Sequence, residues 1–247
     1  MSSLSKIAIV TSHPIQYNAP LFKRLAGVSC IDLLVFYTWG KDGAGKKYDP
    51  DFNREISWDL PLLEGYDYRF CENTSKKPGS HYFNGIKTPN LIFQIEEWQP
   101  DIVWVWGWAF QSHLKVLRHF KGRSIVWFRG DSTLLDEPSG FSLKKLLRKV
   151  FLKWVYSHID KAFYVGANNR DYFLKFGLKE NQLVLAPHAI DNERFSGVQK
   201  PMTNSFKLLY VGKLEPRKNP FYLMKIMTQL NCAEVKLSIV GSGPLER

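Results

Sequence analysis

The chain has 247 residues, 45% of them apolar and 23% charged, and a formal net charge of +11. That composition excludes disordered and collagen-like chains, and a length between one and two domains of about 150 residues is enough for a full core without disulfide staples. The charge calls for an anionic partner (nucleic acid, a lipid surface or a phosphorylated substrate) without choosing among them.

Short β-branched and aromatic runs alternate with helical patterns. Strands are expected at 7–11, 31–37, 67–70, 102–106, 124–128, 162–165 and 183–186, and helices at 19–26, 89–99, 109–120, 142–157 and 167–176. Gly177 is placed as the residue that ends the last of these helices. Continuous apolar strands separated by helices predict an α/β fold, a doubly wound, Rossmann-like parallel sheet covered on both faces. Residues 39–65 break the alternation: polar, rich in Gly and Asp, and long for a connection, they read as a functional loop or a small insertion. A second break falls at 196–204, after which the pattern restarts with a strand at 206–211, a helix at 220–230 and a strand at 235–240. One β-α-β unit cannot bury both faces of its sheet. The expected organisation is a Rossmann-like domain over 1–195, a linker over 196–205, and the opening of a second Rossmann-like domain over 206–247.

Several motifs fail on inspection. Cys30, Cys71 and Cys232 are scattered, which fits neither a disulfide framework nor a zinc ribbon. The apolar run after Lys6 is too short for a signal-peptide core, and the longest apolar stretch, 102–110, is well below the ~20 residues that span a bilayer. A cytoplasmic protein is the economical expectation. Gly40 and Gly45-Lys46 approach a phosphate-binding P-loop, but Lys47 stands where Ser or Thr is needed and Tyr48-Asp49-Pro50 blocks the following helix. Asp49-Pro50-Asp51 has the spacing of a metal-chelating pair, yet Lys46-Lys47-Tyr48 precedes it instead of a buried strand, so it reads as a turn. The histidines form no ligand pair beside a carboxylate, and no metal site is expected. Neither a nucleophile elbow nor a Gly-x-Gly-x-x-Gly fingerprint occurs.

The helix at 142–155 combines five cations and no acid with Leu143, Leu146, Leu147, Val150, Phe151 and Trp154. It reads either as an interfacial membrane helix or as a surface helix whose apolar stripe covers the sheet. The second is preferred, with the basic face still offered to an anionic membrane surface. No recognition module for nucleic acid accompanies the charge, so nucleic acid is not an expected partner.

The segment 208–220 is the most informative. An apolar strand ends at Gly212, and Lys213, Arg217 and Lys218 follow before a helix begins near Pro220. Cations at a strand end beside a helix N-terminus form a natural diphosphate site, although charge alone equally describes a solvated turn. This segment resembles the motif that opens the C-terminal domain of family 4, GT-B-fold glycosyltransferases, in which an Arg and a Lys grip the donor's diphosphate. Lys213 stands at the Arg position and Lys218 at the Lys position, with Asn219 in place of the following Gly; losing the Arg removes a bidentate fork. The strand leading into Gly241-Ser242-Gly243-Pro244 resembles the family's next landmark, whose glycines let backbone approach the nucleotide. Further upstream, 183–195 is similar to the interdomain segment, with His188-Ala189 replacing Asn-Gly.

The resemblance implies a GT-B-like architecture and a metal-independent hexosyl-type transferase without a cofactor, the nucleotide-sugar (UDP- or GDP-linked) being a co-substrate. It implies transfer with retention to a glycan or lipid-linked acceptor, in surface polysaccharide or glycolipid assembly. Its donor-binding residues are Gly212, Lys213, Lys218, Gly241 and Gly243. The family's later pair of Glu residues lies beyond 247, so this chain alone is expected to be inactive in transfer. The acceptor belongs at the carboxyl ends of the N-terminal strands. There His13 and Gln16 follow the first strand, and Trp106 and Trp108 end the fourth, where stacking on a sugar competes with ordinary core packing. Arg129 and Asp131 end the fifth, with Arg129 where many members carry a His beside the transferred sugar. His13, Arg129 and Asp131 are the catalytic candidates; the plainer alternative is an Arg–Asp pair that fixes a turn. Two other readings remain: a non-catalytic acceptor- or membrane-binding fragment, and a sugar-nucleotide epimerase of the same architecture.

Overall fold

The computed structural model describes residues 4–43, 60–137, 140, 142–197, 206–232 and 234–246, together with the backbone of 47–49 and 54–56. By its own contacts the chain divides into two units, Met1–Gly45 with Trp58–Asp191, and Lys46–Ser57 with Asn192–Arg247.

The first unit is built on a seven-stranded parallel sheet. Its strands are β1 (Ser5–Thr11), β2 (Ile31–Tyr37), β5 (Asp67–Phe70), β6 (Ile102–Trp106), β7 (Ile125–Arg129), β8 (Lys161–Tyr164) and β9 (Leu183–Leu185). They lie side by side in the order β5-β2-β1-β6-β7-β8-β9. β1 pairs with β2 on one side (Ile7 opposite Leu33) and with β6 on the other (Ile7 opposite Ile102). The strand order therefore reverses between β1 and β6, and the carboxyl ends of these two strands flank the crevice where doubly wound sheets bind ligands.

The continuous apolar runs are explained by burial of both faces. Ala8, Val10, Leu34, Phe36, Val103, Val105, Val126, Phe128 and Ala162 face one core. It is covered by α2 (Leu91–Trp98), α3 (Gln111–Phe120), α4 (Leu143–Tyr156) and α5 (Ala167–Lys175). Ile7, Ile9, Leu33, Val35, Tyr37 and Trp104 face the other, which receives Ala19 and Phe22 of α1 (Asn18–Ala26). The period-2 alternation of side chains sorts neighbouring residues to opposite cores.

Helix ends follow local chemistry. Ser142 accepts from the Lys145 amide and is an N-cap, so α4 starts one residue later than expected. Gln99, in the left-handed region at φ 53°, stops α2 at Trp98. Gly177 ends α5 as expected: it lies at φ 104°, its N–H donates to Leu174 O, and the Leu178 N–H donates to Phe173 O. This pair of hydrogen bonds is the Schellman pattern, sealed by Phe173 and Leu178 in the core.

One expectation is corrected. Of the apolar residues proposed to cover the sheet from α4, Phe151 packs on Trp108 while the others are exposed; Leu152, Val155 and Tyr156 are buried instead. Leu143, Leu147, Val150 and Trp154, spaced four, three and four apart on one face, point to solvent, with Leu147 63% and Val150 61% exposed. An amphipathic period shows that a helix has a buried side, and here the longer apolar stripe lies opposite it.

The expected P-loop failure is matched by Lys47 opening a strand, not a helix; Gly45 and Lys46 lie outside the described residues. A 3-10 turn at Lys41–Gly43 follows β2. In the second unit an antiparallel pair, β3 (Lys47–Asp49) and β4 (Arg54–Ile56), comes from the same polar stretch. Asp49 closes β3, and Pro50 and Asp51 of the Asp-x-Asp spacing lie outside the described residues. A short helix, α6 (Asn192–Phe195), precedes the predicted β-α-β unit: β10 (Phe206–Val211), α7 (Pro220–Leu230) and β11 (Val235–Val240). β10 and β11 are parallel, with Phe206 opposite Val235 and Val211 opposite Val240.

Candidate functional site

At the carboxyl edge of the first unit, β1 and β2 continue their pairing past their ends: the Thr38 N–H donates to Thr11 O and the Trp39 N–H to Ser12 O. This fixes the turn that carries His13 and Gln16. His13 Nδ1 lies 2.9 Å from Ser12 Oγ, and its ring meets Trp39 edge-on at 5.2 Å. Gln16 is half-buried just ahead of α1. A pocket of about 310 Å³ opens beside Trp39, lined by Asp42, Phe70, Cys71, Glu72 and Asn73 among others. Burial pushes the Cys71 thiol up to about 12, so it is not a ready nucleophile.

Beneath this edge sits a group that no motif signalled. His113, fully buried on α3, places Nδ1 2.8 Å from Gly107 O and Nε2 2.8 Å from Thr38 Oγ1. A carbonyl only accepts, so Nδ1 carries the proton. Burial pulls the ring's pKa down to about 4, which keeps it neutral, so Nε2 accepts from the Thr38 hydroxyl. That hydroxyl also lies 3.1 Å from Thr11 O, but its single hydrogen is committed to the imidazole. His113 thereby links the segments that follow β2 and β6, on both sides of the strand reversal. The available signal was its register, because His113, Val116, Leu117 and Phe120 recur at helical spacing and all are buried.

Arg129, the last residue of β7, is 7% exposed. Its guanidinium donates to Ala186 O (2.9 Å) and Pro187 O (3.4 Å) and lies 5.1 Å from the Trp106 ring. The Gly107 N–H in turn donates to Arg129 O. Burial lowers the pKa of Arg129, and the charge of exposed Asp131 works against that shift. The structure thus joins Arg129 to Trp106. It separates Trp106 from Trp108: Trp106 packs edge-on to Phe22 in the α1-side core, and Trp108 packs on Phe151 of α4 against the other.

The donor candidates belong to the second unit. The Gly212 N–H donates to Val240 O, Leu214 N–H to Ser242 O and Leu245 N–H to Leu214 O, so the segments after β10 and β11 run hydrogen-bonded together. A Cβ on Gly241 would stand 1.8 Å from Gly212 O, and one on Gly243 2.4 Å from Leu214 O. Both glycines are therefore required by backbone meeting backbone, before any ligand is considered. Lys213 is half-buried, with its carbonyl accepting from the Tyr210 hydroxyl at 3.0 Å. Lys218 ends a 3-10 turn, Pro216–Lys218, and is exposed. Asn219 then takes the left-handed conformation at φ 48°, directly before Pro220 opens α7. Asn is among the few residues other than Gly that tolerate this region, so its substitution at the glycine position keeps the local backbone.

Among the described residues, no group of three or more His, Cys, Asp or Glu is placed to hold a metal ion, and no helix is long and apolar enough to cross a membrane.

No protein-family model and no curated protein sequence matches the chain. Solved structures do match it. HepE of Anabaena, crystallised with UDP and glucose, superposes with a TM-score of 0.55 at 12% identity over 97% of this chain. The catalytic domain of Starch Synthase IV from Arabidopsis thaliana, bound to ADP and acarbose, gives 0.61 at 12% identity over 98%. The lipopolysaccharide outer core galactosyltransferase WaaB gives 0.54 at 15% identity over 97%. The architecture is GT-B-like. The chain spans 61% of HepE, 69% of the starch synthase domain and 61% of WaaB.

Proposed function

We propose that this chain belongs to a glycosyltransferase that moves a sugar from a nucleotide-sugar to an acceptor hydroxyl. The observation that supports the reading is the hydrogen-bonded run of 212–214 with 241–243 on a GT-B-like fold, with Lys213 within that run and Lys218 two residues before Pro220, which opens α7. Two cations and a helix N-terminus suit a diphosphate, whose charge grows as the sugar departs, and they stabilise it without a metal. Solved structures of this fold contain UDP with glucose and ADP with acarbose, which supports a nucleotide-sugar donor.

In this reading the acceptor half covers 1–195, the linker 196–205, and the donor half begins at 206. The enzyme is of family 4, retaining and hexosyl-type, and uses a UDP- or GDP-sugar. Gly212, Gly241 and Gly243 shape the donor loops. Arg129, Asp131 and His13 face the reacting sugar, while Gln16, Trp106 and Trp108 act on the acceptor side. Arg129 is held by backbone carbonyls and the Trp106 ring, so it presents a fixed cation at a strand end. The acceptor is a glycan or a lipid-linked sugar of surface polysaccharide or glycolipid assembly, handled in the cytoplasm or peripherally at the inner face of a membrane. The outward apolar face of α4 supports the peripheral placement.

Calorimetric titration with UDP- and GDP-sugars tests the donor assignment. At least one is expected to bind, and Lys213→Ala with Lys218→Ala is expected to weaken it about tenfold or more, as lost charge-assisted bonds do. Absence of binding by every nucleotide-sugar, with tight binding of an unrelated ligand class, would overturn it.

A further inference from the structure

None of the donor, acceptor or catalytic candidates lines the pocket beside Trp39, and its walls are fixed without a ligand. Trp39 and Asp42 stand after β2, and Phe70, Glu72 and Asn73 at the end of β5 and just beyond it. The Trp39 N–H donates to Ser12 O and the Cys71 N–H to Tyr37 O, so both segments extend the sheet. Asn73 Nδ2 donates to Gly85 O, while its Oδ1 accepts from the amides of Ser75 and Lys87. The Gly79 N–H also donates to Gly85 O, and a Cβ on Gly85 would stand 2.0 Å from Gly79 O. The loop 73–87 is thus closed on itself, backbone against backbone, and it carries Pro78, another wall residue.

The chemistry of the walls narrows the ligand. A volume of about 310 Å³ is at the lower end of small-molecule sites, roughly 300–1,000 Å³, and suits a single ring. Trp39 and Phe70, both half-buried, make part of the wall aromatic. Lys41, Asp42 and Glu72 are exposed, and among the described residues their side chains make no ion pair or hydrogen bond. Aromatic rings pack on the C–H side of a sugar, and carboxylates accept from its hydroxyls in charge-assisted bonds. Two carboxylates against one ammonium leave the wall negative, on a chain whose net charge is +11. A ligand bearing phosphate or carboxylate is disfavoured there by like charge. The same charge keeps out the diphosphate that suits Lys213 and Lys218. Position supplies the link to the reaction: the Trp39 ring meets that of His13, a catalytic candidate, at 5.2 Å.

We propose that the pocket of Trp39, Asp42 and Glu72 seats an uncharged sugar ring of the acceptor and rejects acidic sugars. The inference rests on the transferase reading for its ligand being an acceptor, but its test uses neither donor nor turnover. Nucleotide binding without sugar binding would remove this pocket and keep the transferase; sugar binding without nucleotide binding would do the reverse.

Amide chemical-shift titrations with the methyl glycosides of glucose, galactose and N-acetylglucosamine, and with glucuronic acid and glucose 1-phosphate, test it. At least one methyl glycoside is expected to shift 39–43 and 70–73 saturably, and to bind there about tenfold or more tightly than either acid. Asp42→Asn with Glu72→Gln, shape-preserving changes at exposed positions, are expected to bring the acids to within about threefold of that glycoside. The equal-charge control, Glu64→Gln with Asp67→Asn at exposed positions outside the pocket, is expected to leave the preference within about twofold of its original value. No shift of those segments by any methyl glycoside, or an acid bound there as tightly, would overturn the assignment. Equal loss of preference in the control would reduce it to net charge and overturn the role of Asp42 and Glu72.

Discussion

His113 shows how a single side chain can organise the carboxyl edge of a parallel sheet, by joining Thr38 after β2 to Gly107 after β6. The folded protein holds its imidazole neutral down to about pH 4, against 6.5 for an unburied ring. In that window the unfolded chain binds a proton that the folded chain does not. The stabilisation is therefore complete above about pH 6.5 and declines as the pH falls towards 4. The difference reaches on the order of 3 kcal/mol for this size of shift. Denaturant titrations of the protein and His113→Asn should show the stability difference between them shrinking from pH 7 to pH 4. A difference independent of pH would contradict the buried neutral ring. At this scale the sequence was only partly legible. Lys213 and Lys218 were marked by charge at a strand end, and Arg129 by its place in the strand order. The partners of Arg129, carbonyls of Ala186 and Pro187, are more than fifty residues away and have no side-chain signature. Gly241 and Gly243 were read as making room for a nucleotide, whereas the nearest constraint is another stretch of backbone.

At the scale of elements, strands and caps were readable because their causes are local. Parallel strands buried on both faces are continuous apolar runs, and Gly177 ends α5 where it was expected. Gly177→Ala places a Cβ at φ 104° with ordinary contacts around it, so the penalty is conformational. It is expected to cost about 1 kcal/mol or somewhat more, measurable as a lower denaturation midpoint with unchanged slope; an unchanged midpoint would contradict the Schellman geometry. α4 was harder to read. Its fourteen residues carry two apolar sets, one of Leu152, Val155 and Tyr156 and one of Leu143, Leu147, Val150 and Trp154. Periodicity identifies both, and only the position of the sheet decides which one is buried. The longer stripe is therefore not the covering face: Leu152, Val155 and Tyr156 are buried, and Tyr156 packs on Tyr172 and Phe173 of α5.

For the whole molecule, the order β5-β2-β1-β6-β7-β8-β9 sets where chemistry is feasible. The reversal between β1 and β6 gathers the His13 turn, Gly107 and His113 at one edge. The β10-α7-β11 unit supplies a separate cationic turn at a helix start. The alternation of elements in the sequence anticipated both parallel arrangements, while the pairing of residues across each edge depends on strand order, which no single segment encodes. In the proposed function, the hydrogen-bonded loops of the second unit receive a nucleotide diphosphate. Amide chemical-shift mapping of the protein titrated with UDP measures this most directly. The largest shifts are expected at 212–219 and 241–243, lost together in Lys213→Ala with Lys218→Ala. Saturable shifts that avoid those segments, or none with any nucleoside diphosphate, would contradict it.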